Sequence, residues 1–121
     1  MKLTKKMLND TGAKIGASNM GELSKSGAPA NVLMFSVLVN GNATKMLRHE
    51  LFKDGEEEID VSREEFANAG SAVFDAIGKK NEEANNPDRA IGDVLEQLQT
   101  MMFLGKLEDA LFGEEDGDAD A

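Results

Sequence analysis

The sequence predicts an α+β domain. A small antiparallel sheet over about residues 31–61 packs on a capped helix at 63–78 and a long C-terminal helix at 87–112. Three observations carry this reading. The run Val32-Leu33-Met34-Phe35-Ser36-Val37-Leu38-Val39 is rich in valine and apolar on both faces, as a buried strand is. Ser62 followed by Glu65 has the spacing of a capping box. Asn86-Pro87 is a helix start, with an apolar stripe behind it. An all-α arrangement, with 30–39 and 43–53 helical, is the alternative.

Residues 1–28 are polar and rich in small residues, with Gly12, Gly16, Gly21 and Gly27 spread through them. Such glycines punctuate regular structure, so the segment reads as a flexible basic arm. Thr4 caps at most a short helix carrying Met7 and Leu8. The globular domain is expected over 29–112. Pro29 precedes the apolar run, and Asn40-Gly41 behind it is a hairpin signal because both residues tolerate positive φ.

Residues 43–53 fit two periods. As a helix they begin at Asn42, end at Gly55, and place Ala43, Met46, Leu47 and Leu51 on one face. As a strand they join 32–39 to a short strand at 57–61 through the turn Lys53-Asp54-Gly55-Glu56. The sheet reading takes the strand.

From Ser62 the pattern is helical. Phe66, Ala69, Gly70, Val73, Phe74 and Ile77 recur at three- and four-residue spacing, Val61 and Phe66 form a staple, and Gly78 ends the helix. Residues 79–86 are a polar linker. Ile91, Val94, Leu95, Leu98, Met101 and Met102 mark the second helix, and Leu107, Leu111 and Phe112 extend its apolar side beyond Gly105. Residues 113–121 hold five acids and no apolar side chain larger than alanine, and are expected to be a disordered acidic tail.

Composition narrows the chemistry. There is no cysteine, tryptophan or tyrosine, and His49 is the one histidine. Disulfides, thiol nucleophiles and Cys- or multi-His-ligated metals are therefore excluded. No nucleophile elbow, phosphate loop or dinucleotide fingerprint is present. The Asp116-x-Asp118-x-Asp120 spacing lacks the rest of a calcium loop. No catalytic residue, cofactor or metal ligand is assigned, and no enzyme activity is expected. The eight-residue run at 32–39 is far short of the ~20 residues of a membrane helix. The start lacks an apolar signal region, so a cytoplasmic location is expected.

The net charge of −10 divides unevenly. Residues 1–53 hold eight Lys/Arg and three Asp/Glu, a net of +5; residues 54–121 hold five and twenty, a net of −15. With chemistry narrowed this far, contact is the expected function. The sequence reads as a non-catalytic acidic interaction module, acting in assembly as an adaptor or chaperone-type protein. Its expected partner-binding residues are Leu98, Met101, Met102, Leu107 and Leu111, burying against a protein partner or a second copy. The basic arm, with Lys2, Lys5, Lys6, Lys14 and Lys25, is expected to meet an acidic surface. The alternatives are a single-stranded nucleic-acid-binding protein with an acidic regulatory tail, or an acidic inhibitor that imitates a polyanion.

Overall fold

The computed structural model describes residues 1–113. It is mostly helical, with four helices and a two-stranded antiparallel ribbon, so it fits the all-α alternative as well as α+β. The order is β1 (Lys2–Thr4), α1 (Lys5–Lys25), α2 (Ala30–Leu51), β2 (Glu58–Asp60), α3 (Arg63–Ala84) and α4 (Ala90–Glu108). A 3-10 turn, Pro87–Arg89, leads into α4, and a π turn, Asp109–Gly113, follows it. The expected tail is described only at Gly113; the rest of it lies outside the described residues.

The sheet expected over about 31–61 is replaced by α2. Ser36, Val39, Asn40, Ala43 and Leu47 are its buried residues, a three- and four-residue spacing that runs unbroken through Asn40-Gly41. Tertiary contacts override the β preference of the valines here. Of the expected strands, β2 survives, and its partner is β1: Lys2 pairs with Asp60, Leu3 with Ile59 and Thr4 with Glu58. The turn signal at Gly55 is real, with φ of 79°, but it joins a helix to the ribbon.

The segment expected as an arm forms β1 and α1. Thr4 caps α1, its Oγ1 accepting from the Met7 amide at 3.0 Å. The helix runs through its glycines to a Schellman ending: the Ala28 amide donates to Leu23 O at 3.0 Å and the Gly27 amide to Ser24 O at 3.1 Å, with Gly27 at φ 84°. Gly12 is where α1 meets its neighbours. A Cβ there would stand 2.8 Å from Thr44 Oγ1 and 3.6 Å from Phe103 Cζ. The residue that reads as a chain breaker is a packing contact.

The capping box at the start of α3 forms as its spacing predicts. The Glu65 amide donates to Ser62 Oγ and the Ser62 amide to Glu65 Oε1, both at 3.0 Å. Gly78 does not end α3; the helix continues to Ala84, and Gly78 instead packs against the Gln97 side chain of α4. Asn85, at φ 44°, supplies the left-handed ending. Arg63 ties the start of α3 to the end of α4, donating to Glu108 Oε2 and Asp109 Oδ1 at 2.8 Å each. The core gathers Leu3, Leu8, Leu47, Phe66, Val73 and Ile77 with Phe103 and Leu107 of α4.

Candidate interaction faces

Helix α4 carries two apolar stripes. Thr100, Phe103, Leu104 and Leu107 face inward and are buried. Ile91, Val94, Leu95, Leu98, Met101 and Met102 face outward, with exposures from 46% at Leu98 to 78% at Ile91. An amphipathic surface helix would present charge on that side. Here the charges between Ile91 and Leu107 are Asp93, Glu96 and Lys106.

The five expected partner-binding residues divide between these stripes. Leu98, Met101 and Met102 stand exposed. Leu107 is fully buried and Leu111 is half-buried against the same core, so both are structural in this chain. Helical period explains the split. At about 100° per residue, the nine positions from Leu98 to Leu107 turn the chain to the opposite side of the helix. That arithmetic was available from the sequence alone.

Helix α2 shows a second outward apolar segment, which the strand reading missed. In its first half the polar Ser36 and Asn40 are buried, at 3% and 5% exposure, while Met34, Val37 and Leu38 are exposed at 47% or more. Two polar groups lie inside beside Val39 while three large apolar ones lie outside, which departs from an ordinary surface helix. Ser36 and Asn40 line a groove together with Leu23 of α1 and Met102 of α4.

The five lysines of the expected arm do not gather. Lys5 lies 5.9 Å over the Phe52 ring and 3.7 Å from Glu57. Lys6 is 2.6 Å from Asp10, whose hydrogen bond raises the ammonium above its ordinary pKa. Lys2 lies on β1, Lys14 is exposed midway along α1, and Lys25 is in its last turn. Lys5 and Lys25 bound a 21-residue helix, about 30 Å apart along its axis. The Debye length is about 8 Å at physiological salt, so these charges do not act as one patch. His49 is exposed on α2. Among the described residues, no three His, Asp or Glu side chains converge on a metal-sized site.

No helix among the described residues is long and apolar enough to cross a membrane. No family model, curated protein or solved structure matches the chain.

Proposed function

We propose that this chain is a non-catalytic protein-interaction module that works in assembly, by burying the outward face of α4 against another protein or a second copy. The observation that carries the reading is the stripe Ile91, Val94, Leu95, Leu98, Met101 and Met102, six large apolar side chains in solvent on one helix face. Isolated exposed apolar residues are ordinary; a contiguous face of them marks a contact surface. Paired methionines suit it, because their unbranched side chains repack against varied shapes.

The magnitudes bear on what the partner must supply. Full burial of such a side chain contributes about 1.5–3 kcal/mol, so six that are about half exposed hold on the order of 5–9 kcal/mol. Association costs on the order of 4–15 kcal/mol. The α4 face alone is marginal. It suffices when the partner brings apolar surface of its own, or when Met34, Val37 and Leu38 of α2 join the contact.

Sedimentation velocity across a concentration series tests this, with the double substitution Leu98→Glu and Met101→Glu as comparison. The expected result is concentration-dependent association, or a retained partner protein, that the variant loses while its circular dichroism is unchanged. A strict monomer at high concentration that retains no protein refutes the reading.

A further inference from the structure

A second surface, unrelated to the α4 face, lies between α2 and α3. It is a groove of about 700 Å³ with an apolar floor that includes Phe52, Val73 and Ile77. Its walls carry four permanent cations, Lys5, Lys45, Arg48 and Lys80, together with His49. Two carboxylates, Glu50 and Glu96, also line it. This is an excess of positive charge in a chain of net charge −10.

The pairing of these groups decides what the groove is suited to hold. Glu50 is engaged by Lys53 at 3.1 Å, and Glu96 accepts from Asn81 Nδ2 at 2.9 Å. Arg48 donates to Asn9 Oδ1 at 2.5 Å, a neutral partner that leaves its charge uncompensated. Lys5 faces Glu57 at 3.7 Å, an exposed pair that contributes little. Lys45 of α2 and Lys80 of α3 both line the groove, and neither makes an ion pair among the described residues. Glu50 is ion-paired to Lys53, while Glu96, like Arg48, has a neutral partner; the four cations outnumber the two carboxylates, and Lys45 and Lys80 are left without a carboxylate partner among the described residues.

We infer that this groove docks an acidic peptide segment of a partner protein. Glutamate or aspartate side chains would meet Lys45 and Lys80, and an apolar side chain would rest against Met46, Ala72 and Ala76, the apolar lining residues that reach solvent. The apolar floor favours a peptide over a nucleic acid. Stacking sites for single strands are built from exposed aromatic faces, whereas the phenylalanine here, Phe52, is 5% exposed and already covered by Lys5. The acidic remainder of the chain does not cancel the local field. At about 0.15 M salt, charges more than about 8 Å away are largely screened, while contacts within the groove are not.

Fluorescence anisotropy of the full chain with a labelled peptide of alternating glutamate and leucine tests the proposal. The expected result is saturable binding at about 0.15 M salt that weakens as salt rises. It should weaken about tenfold or more in the double variant Lys45→Glu and Lys80→Glu. Both lysines are exposed, and unchanged circular dichroism verifies the fold. A matching glutamine–leucine peptide should not bind. Binding that the double variant retains, or that the glutamine peptide shares, overturns the inference. A single-stranded oligonucleotide bound as tightly, through the same lysines, reassigns the groove to nucleic acid. Loss of self-association in the double variant reassigns it to a second copy.

Discussion

The two halves of α2 are built on opposite plans. Toward its C-terminus, Ala43 and Leu47 turn inward and join Leu8, Phe66, Val73 and Phe103 in a core that excludes water. Toward its N-terminus, Ser36 and Asn40 turn inward and Met34, Val37 and Leu38 face solvent. Helix α4 repeats the contrast along its length, with Phe103 and Leu107 buried and Ile91 to Leu98 outward. One region satisfies its apolar groups within the chain. The other buries Val39 but leaves several large apolar side chains outside, and the proposed assembly function is a reading of that imbalance.

Truncating each region separates them most sharply. Phe103→Ala, at 1% exposure, is expected to cost about 3–5 kcal/mol in urea unfolding. Leu98→Ala, at 46% exposure, should stay within about 1 kcal/mol for the isolated chain. Equal losses would show that the outward face is structural after all. Gly12→Leu probes the closed region from the other side. The Thr44 hydroxyl it would strike is held by a 3.0 Å hydrogen bond to Asn40 O, so it yields poorly. Overpacking of about 1–3 kcal/mol is expected, read as a lowered urea midpoint. A leucine accepted without loss would mean that α1, α2 and α4 pack loosely there.

The capping box provides the smallest effect. The Ser62 amide and hydroxyl hold the Glu65 carboxyl below its ordinary pKa. A depressed folded-state value stabilises above the unfolded one, near 4.3, and is lost as pH falls through the depressed value. Glu65 should therefore titrate below the ordinary glutamate value in carbon-detected NMR, and the melting difference between wild type and Glu65→Ala should narrow in acid. Titration of Glu65 at the ordinary glutamate value would show that the box is open in solution.

What was legible in the sequence follows the range of the physics involved. Thr4 and Ser62–Glu65 cap the starts of α1 and α3, each acting within one turn of helix, though α1 is longer than the short helix expected of Thr4; Asn86-Pro87 starts the 3-10 turn ahead of α4 and not α4 itself, which begins at Ala90 with no side-chain cap. The α2 helix was hidden because its first half exposes the apolar side chains that a buried strand would also show. Gly12 misled because what a Cβ there would strike lies on other helices, and Gly78 because it sits inside α3, beside the Gln97 side chain of α4, and not at its end. Of the candidate face, Leu98, Met101 and Met102 were readable, while Leu107 and Leu111 required the helical angle to be followed. The α2–α3 groove was not readable, since its lysines come from segments that sequence spacing does not connect.

The ribbon joins parts of the chain that lie far apart in sequence. The α1–α2 and α3–α4 pairs are neighbours in sequence, joined by short turns at 26–29 and 85–89, and close over small loops. The bonds of β1 to β2 instead join Leu3 to Ile59, across almost half the chain. Contacts so distant in sequence are slow to find and expensive in loop entropy until the intervening helices have shortened the path. Contacts within the two helical hairpins are therefore the cheapest to form, and the ribbon belongs with the α1–α4 contacts among the distant ones that hold the hairpins together.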